Sequence, residues 1–335
     1  MNDFGYERGV TVEDCLATIA AKGAAIIAGG TELLNWMRLG IAAPPQLVDI
    51  GGIRDLDTIA IESDHLIIGA LANLNAIGES SLVATHANTL AQACLQAASP
   101  QVRNRATLGG NVLQKTRCAY FRAETPLPWP CNKREPNTGC AARNGVNDRQ
   151  AIFGWTDECV AVQPSDPAVA LACLDAQVEI AGTNGSRSLA MTEFHLTQAE
   201  AAALGDAARH ETRLADDEMI VAFRIPLHAG SRSAYIKVRE RASYEYALVS
   251  AAAVIKMSGD VIERVSIALG SVAQRPWRLP AAEGALVGQS LDEKTLASAI
   301  DAAMKDARPL AENGFKVKLA RNAAVRAILT AAGKS

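Results

Sequence analysis

The segment A-A-I-I-A-G-G-T-E-L-L-N-W-M-R-L at residues 24–39 decides how the first part of the chain folds. Its apolar run at residues 24–28 predicts a buried strand, and Gly29-Gly30-Thr31 predicts a turn into a helix over residues 32–39. This geometry suits a phosphate group, because glycine lets the backbone approach closely and a helix start offers free N–H groups. The motif is neither G-x-G-x-x-G nor a Walker A loop, so a plain strand–helix turn remains the alternative.

A second glycine pair, Gly109-Gly110, stands in the segment V-R-N-R-A-T-L-G-G-N at residues 102–111. Two Gly-Gly turns flanked by threonine and asparagine suit an extended ligand whose central diphosphate is held from two sides. Two unrelated turns remain the alternative.

Four cysteines, Cys118, Cys131, Cys140 and Cys159, lie in an irregular segment rich in proline, asparagine and glycine. A long irregular segment needs something to hold it, and four thiolates on one metal centre would do so. The excess of lysine and arginine around them suits a negatively charged [4Fe–4S] cluster. Two disulfides, a structural zinc and ordinary loop cysteines remain open, although gaps of 12, 8 and 18 residues are unlike the paired ligands of zinc sites.

The three other cysteines, Cys15, Cys94 and Cys173, lie on apolar faces of predicted helices. They are expected to be buried and free of metal. Seven cysteines is an odd number, which argues against a fully paired secreted framework.

Composition describes an ordinary globular protein of two or three domains, with 335 residues, 49% of them apolar, and a net charge of −3. That charge gives no general reason to expect nucleic acid or an anionic membrane as partner. No apolar run is long enough to span a membrane. The first eight residues lack the apolar core of a signal peptide, which predicts a cytoplasmic protein; export with a signal-bearing partner is the alternative. The five scattered histidines suggest no triad, and no catalytic residue is predicted.

The element pattern indicates an α+β fold with strands followed by helices. Strands are predicted at residues 46–50, 58–61, 66–69, 177–181 and 218–225, and then at 233–241, 247–257 and 264–273. Helices are predicted from a capping box at Thr11, and at residues 87–98, 167–175, 292–307 and 315–332. A linker is predicted at residues 226–232.

Taken together, eight segments resemble, in order, the FAD-binding (medium) subunits of the molybdenum hydroxylase family, which includes xanthine dehydrogenase. They are A-G-G-T-E-L-L at 28–34, L-V-D-I at 47–50, I-G-A at 68–70, V-R-N-R-A-T-L-G-G-N at 102–111, P-S-D-P-A-V-A-L at 164–171, E-M-I-V at 218–221, Y-I-K-V-R-E-R-A-S-Y-E-Y-A-L-V-S at 235–250 and A-L-G-S-V-A at 268–273. The likeness covers nearly the whole chain, and its specificity comes from the order of the motifs.

The cysteine-rich insertion reads R-C-A-Y-F, P-C-N-K-R, G-C-A-A and E-C-V-A around its four cysteines. It resembles the [4Fe–4S] loop of bacterial three-subunit aldehyde oxidoreductases more than that of 4-hydroxybenzoyl-CoA reductase, which remains an alternative. The resemblance implies that Cys118, Cys131, Cys140 and Cys159 ligate the cluster.

The resemblance implies a non-Rossmann, two-subdomain FAD-binding fold over residues 1–226, divided at about residue 52, with the cluster insertion at about 114–160. A C-terminal flavoprotein domain would follow at residues 230–335, with a three-stranded sheet packed by helices.

The resemblance also implies the residues that bind FAD. They are Ile26, Ile27, Ala28, Gly29, Gly30, Thr31, Glu32, Leu33, Arg103, Thr107, Gly109, Gly110, Asn111, Asp166, Ile220 and Lys237. Asp166 would bind a ribose hydroxyl, because a carboxylate repels a diphosphate, or would cap the helix at 167–175. Ile220 would contact the flavin and Lys237 would lie beside its ring.

For function, the resemblance implies an electron-transfer subunit. Electrons would arrive from a large molybdenum-cofactor subunit through the [2Fe–2S] clusters of a small subunit, and would leave FAD for an external acceptor. Four basic residues of the insertion favour an acidic acceptor such as ferredoxin, namely Lys115, Arg117, Lys133 and Arg134, although they would equally offset the charge of the cluster. A loop that only braces the interface with the large subunit is the alternative. A freestanding flavin oxidoreductase and a zinc-stapled nucleotide-binding scaffold are the alternatives from other classes.

Overall fold

The computed structural model describes residues 2–205 and 208–334, and its strands form three β-sheets. The first sheet is parallel, in the order β1 (Gly5–Arg8), β3 (Gln46–Asp49), β2 (Ala25–Ile27). Helix α1 (Val12–Lys22) covers it with Cys15, Leu16 and Ile19. Helix α2 (Leu33–Arg38) follows the glycine turn, as predicted. Strand β1 was not predicted, because G-Y-E-R is a short and mostly exposed edge strand without an apolar pattern.

The second sheet is antiparallel and has five strands. Its order is β4 (Ile59–Glu62), β5 (His65–Gly69), β8 (Glu218–Pro226), β6 (Gln177–Gly182), β7 (Gly185–Ala190). Among the described residues, eight helices connect or cover its strands: α3 (Leu74–Glu79), α4 (Ser81–His86), α5 (Asn88–Gln96), α6 (Pro100–Arg103), α7 (Leu108–Val112), α8 (Asp166–Cys173), α9 (Met191–Phe194) and α10 (Gln198–Ala202). Leu66, Leu90, Leu171 and Phe223 are fully buried in their common core.

An irregularity in β8 shapes the centre of this sheet. Ile180 of β6 pairs with Ile220, whereas Glu179 pairs with Ala222, so Val221 is left over as a bulge. The carbonyl of Val221 accepts a hydrogen bond from the Ala70 N–H at 2.9 Å. Bulges often redirect side chains beside functional sites, and this one lies next to Ile220.

The third sheet is also antiparallel, in the order β12 (Trp277–Arg278), β11 (Val261–Gly270), β10 (Val249–Ser258), β9 (Arg232–Val238). The three long strands are those predicted, and the two-residue strand β12 adds a fourth. Helices α11 (Pro280–Leu286), α12 (Glu293–Ala303) and α13 (Phe315–Ala332) pack on one face, whereas α5 and α8 cover the other. Strand β10 is therefore apolar on both faces, which explains its continuous run of alanine, valine and isoleucine.

The cysteine segment, residues 114–160, is irregular as predicted, and a short 3₁₀ turn at Ala141–Arg143 is its one regular helical element in the described chain. Its far end attaches to the turn that follows β11, because the N–H groups of Ile152 and Phe153 donate to the Val272 carbonyl. The predicted linker at 226–232 lies between β8 and β9. Within residues 2–205 and 208–334, no helix has the length and apolar character needed to cross a membrane.

Candidate functional site

The two glycine turns predicted from the sequence line one cavity of about 450 Å³ between the first two sheets. The first glycine turn is residues 28–32 and the second is residues 107–111. Eleven of the predicted site residues line this cavity: Ile26, Ala28, Gly29, Gly30, Thr31, Glu32, Leu33, Thr107, Gly109, Gly110 and Ile220.

Glycine is required in the first turn for two different reasons. A Cβ on Gly29 would stand 1.8 Å from the Arg105 carbonyl oxygen, so this turn packs directly on the backbone that precedes the second turn. Gly30 has a φ of +73°, a left-handed conformation that glycine adopts readily and other residues rarely do. The N–H groups of Gly29, Gly30 and Thr31 donate no hydrogen bond to any other described residue, and can therefore bind an anion.

The second glycine turn is held by its own helix cap and by a hydrogen bond to Ala70, which follows strand β5 of the second sheet. The Thr107 hydroxyl accepts from the Gly110 N–H at 3.2 Å and caps helix α7. The Gly109 N–H donates to the Ala70 carbonyl at 2.9 Å, and Ala70 in turn binds the β8 bulge at Val221. Gly109 is therefore tightly packed on Ala70: a Cβ added to it would lie 3.1 Å from the Ala70 Cβ and 3.2 Å from the Ala70 carbonyl oxygen, so Ala70 would have to shift by a few tenths of an ångström.

Glu32 connects the cavity to the cysteine segment. Its carboxylate accepts hydrogen bonds from Trp36 Nε1 at 2.7 Å, from Arg122 Nη2 at 2.9 Å and from Arg117 Nη2. The Arg117 guanidinium also lies over the Tyr246 ring, 4.5 Å from its centroid.

The four cysteines of the segment line a second, small cavity. Backbone N–H groups point at three of their sulfurs: those of Tyr120 and Phe121 at Cys118, those of Lys133 and Arg134 at Cys131, and that of Ala161 at Cys159. The Gln150 side chain adds a contact at 3.4 Å to Cys118 Sγ. Burial raises the pKa of the Cys159 thiol to about 12, so a thiolate there needs a cationic partner.

These contacts resemble the hydrogen bonds to sulfur that iron–sulfur proteins use. Nevertheless, across residues 2–205 and 208–334 no group of three or more His, Cys, Asp or Glu side chains is arranged to hold a metal ion. A [4Fe–4S] cluster needs one cysteine sulfur at each of four separate irons, so its ligands lie farther apart than those of a single metal ion. The [4Fe–4S] assignment therefore stays a prediction. All seven cysteines are free thiols, and Cys15, Cys94 and Cys173 are fully buried as predicted.

The four basic residues that favour an acidic acceptor in the sequence all have partners within the chain. Lys115 and Lys133 both bind Glu211, at 2.7 and 2.8 Å, and the Lys133 side chain is only 4% exposed. Arg117 binds Glu32, and Arg134 donates to the carbonyls of residues 121, 123, 39 and 40. All four cations therefore have partners within the chain, and the prediction that they favour an acidic acceptor stays a prediction.

Residues 2–228 match the protein family described as "FAD binding domain in molybdopterin dehydrogenase", and residues 234–331 match "CO dehydrogenase flavoprotein C-terminal domain". The chain is 40% identical over 324 residues to the "Aldehyde oxidoreductase FAD-binding subunit PaoB" of Escherichia coli (strain K12), covering 96% of each chain.

The chain belongs to the FAD-binding medium subunits of the molybdenum hydroxylase family.

More distant relatives and solved structures agree with this assignment. The carbon monoxide dehydrogenase medium chain of Hydrogenophaga pseudoflava is 27% identical over 309 residues, covering 91% of this chain and 88% of that one. The reconstituted CO dehydrogenase from Oligotropha carboxidovorans superposes with a TM-score of 0.77 and 26% identity, covering 100% of this chain and 99% of its own. The α+β medium-subunit fold is confirmed. The chain is an oxidoreductase subunit whose cofactor is FAD.

The remaining predicted FAD residues do not line the cavity. Ile27 lies in β2, and Arg103 Nη1 donates to the Ala97 carbonyl at 3.1 Å. Asn111 accepts a hydrogen bond of 2.6 Å from the Ser165 hydroxyl, which fixes α7 to the start of α8. Their contacts to FAD stay predictions.

Asp166 and Lys237 form a buried ion pair. Lys237 Nζ lies 2.7 Å from Asp166 Oδ2, and the Tyr235 hydroxyl donates to Asp166 Oδ1 at 2.6 Å. The alternative role of Asp166 as helix cap is wrong. Ser165 caps α8 instead, because its hydroxyl accepts from the Ala168 N–H at 3.1 Å while the Asp166 carboxylate faces Lys237.

Sequence reasoning missed part of the cavity lining. Missed residues include Trp36, Ala70, Leu71, Leu113, Leu214, Ala215, Asp216, Glu218 and Met219. Two of them stand in the motif E-M-I-V, from which only Ile220 was selected, so the motif carried a usable signal. Leu214–Asp216 belong to a loop without any motif, and they reach the cavity only through the fold.

Proposed function

We propose that this chain is the FAD- and [4Fe–4S]-carrying electron-transfer subunit of a molybdenum-dependent aldehyde oxidoreductase. Its partners would be a small [2Fe–2S] subunit and a large molybdenum-cofactor subunit, with residues 1–226 and 230–335 as its two domains. The 40% identity to an aldehyde oxidoreductase subunit over nearly the full length supports the aldehyde class. The observation that carries the FAD assignment is that both glycine turns line one cavity.

FAD, when bound, accepts electrons and passes them on singly, whereas the protein supplies binding and position. The first glycine turn would bind the diphosphate through the N–H groups of Gly29, Gly30 and Thr31, and the second turn would face it from the other side. Apolar side chains such as Ile26, Leu33, Met219 and Ile220 line the rest of the cavity and would exclude water. Substrate oxidation would take place on the partner subunit.

The cysteine segment would hold the cluster through Cys118, Cys131, Cys140 and Cys159. Three observations support this: the four residues line one cavity, none is in a disulfide, and backbone N–H groups point at three of the sulfurs. The external acceptor is proposed to be a one-electron acceptor, and NAD⁺ is expected to be a poor one.

The test is purification of the complex through an affinity tag on this chain. We expect about one FAD per chain, iron and sulfide beyond those of the [2Fe–2S] subunit, and aldehyde-dependent reduction of artificial dyes. Aldehyde oxidation by this chain alone would contradict its role as a relay. Rapid reduction of NAD⁺ by the complex would contradict the proposed acceptor, and zinc in place of iron would contradict the cluster.

A further inference from the structure

The cysteine segment contacts residues 32–40, from the last residue of the first glycine turn to the residues after helix α2, at three separate places. Arg117 and Arg122 bind Glu32, and Lys115 Nζ lies 5.5 Å from the centroid of the Trp36 ring. Arg134 Nη2 donates to the Leu39 and Gly40 carbonyls at 3.2 and 3.3 Å. The segment thus holds both ends of helix α2, whose N-terminal side lines the FAD cavity.

Glu32 is the central residue of these contacts. Its side chain is 17% exposed, and those of Arg122 and Arg117 are 13% and 26% exposed. One partly buried carboxylate therefore lies between two partly buried guanidinium groups. Removing it leaves two cations next to each other without their common partner, which is costly away from water.

The Glu32 carboxylate already accepts three hydrogen bonds from protein groups, so it is committed to its own chain. Its backbone, in contrast, continues directly from Gly30 and Thr31, which line the cavity and whose N–H groups donate to no other described residue. Whatever fixes the Glu32 side chain therefore also fixes the turn.

We propose that Glu32 is a positioning residue that fixes the first glycine turn to the cysteine segment through Arg117 and Arg122. As a result, FAD binding and retention of the metal centre stabilise each other. This inference rests on the proposed function. Because coupling between two sites is reciprocal, FAD must slow the loss of the metal centre, and the metal centre must strengthen FAD binding.

The experiment uses the full chain with its co-purifying subunits and compares wild type with E32Q, R122Q and the double variant. FAD is removed and titrated back, and iron release to a chelator is timed with and without FAD. The matched control is R143Q, which breaks the exposed Arg143–Asp157 pair of the same segment, in which the two side chains lie 3.1 Å apart.

We expect E32Q to weaken FAD binding about tenfold and R122Q by less, because Arg117 still binds Glu32 in R122Q, and we expect the double variant to be little worse than E32Q. FAD should slow iron release from wild type several-fold and should have little effect in E32Q. R143Q should behave as wild type in both measurements. If E32Q does not accumulate, R117Q takes its place, because it removes one guanidinium and leaves the carboxylate paired with Arg122.

Unchanged FAD affinity in E32Q, with iron release still slowed by FAD, overturns the inference even if the melting temperature falls. Strictly additive losses in the double variant also overturn it. Wild type that carries neither FAD nor iron refutes the proposed function instead, so the two failures are distinguishable.

Discussion

The FAD cavity and the cysteine segment, although they touch, are held together in opposite ways. The glycine turns are held by backbone packed on backbone: Gly29 against Arg105, and Gly109 against Ala70. The cysteine segment is held by long charged side chains that donate to backbone carbonyls. Hence an added methyl group should disrupt the glycine turns most, and removal of a charged side chain should disrupt the cysteine segment most.

The reason for the difference lies in hydrogen bonding. The segment has almost no helix or sheet to satisfy its backbone, and buried carbonyls need donors. Arg134 supplies donors to the Phe121 and Ala123 carbonyls, and Lys316 Nζ supplies them to Arg149, Gln150 and Ser271, at 3.2, 2.7 and 2.6 Å. Arg134, one of the basic residues that suggested an external partner in the sequence, thus supplies donors that secondary structure would otherwise provide.

The largest expected effect is that of Gly29→Ala. The new Cβ would meet the Arg105 carbonyl oxygen at 1.8 Å, so the two turns must separate. FAD content should fall below about a tenth of the wild-type value, measured as flavin absorbance per protein. The control Gly284→Ala, in helix α11 with no atom within 4 Å, should keep FAD and raise stability slightly. Full FAD content in Gly29→Ala would show that the turns are not packed as described.

Replacement of a proposed cluster ligand should affect the second region selectively. Cys131→Ser should lose the extra iron and the broad visible absorption, and should make the cysteine segment more sensitive to protease. Cys94→Ala, at a cysteine buried in helix α5, should keep its iron. Retention of all iron by Cys131→Ser would remove this residue from the ligand set.

Lys316→Met tests whether charged side chains replace secondary structure. It leaves three carbonyls without their donor and should destabilise the fold by about 4 kcal/mol. The measurement is the unfolding free energy in urea. The control is Lys318→Met, an exposed lysine on the same helix, which should change that energy by less than about 0.5 kcal/mol. Equal effects of the two substitutions would contradict the interpretation.

A smaller effect is expected from pH, through Glu211. Burial acts to raise the pKa of this carboxyl, but Lys133 and Lys115 outweigh it and hold the pKa at about 2. A carboxyl whose pKa is lower in the folded chain stabilises the fold above its unfolded value of 4.5. That contribution, about 3 kcal/mol, disappears as the pH falls through 2.

Glu211→Gln should therefore lose stability at pH 7, and its disadvantage should shrink as the pH falls from 4.5 towards 2. Urea unfolding at a series of pH values measures this. The control Glu124→Gln, at an exposed glutamate of the cysteine segment, should follow the wild-type pH profile. A difference between Glu211→Gln and wild type that does not depend on pH would show that the ion pairs contribute nothing.

Local sequence signals predicted much of the fold and part of the site. The three long strands of the third sheet, the strand–turn–helix at residues 24–39 and the burial of Cys15, Cys94 and Cys173 all follow from apolar patterns and glycine positions. Short or exposed elements such as β1 and β7 escaped, because they carry too few apolar residues to form a pattern.

By itself, the sequence determined where the chain must turn, which residues are buried and which motifs mark the family, because these properties depend on neighbouring residues. The tertiary structure alone decided what the charges do. Glu32 meets Arg117 and Arg122 from far along the chain, Asp166 meets Lys237, and Lys133 meets Glu211. Such pairs depend on how distant segments pack. The sequence does not show whether a long charged side chain extends into solvent or binds a partner inside the fold.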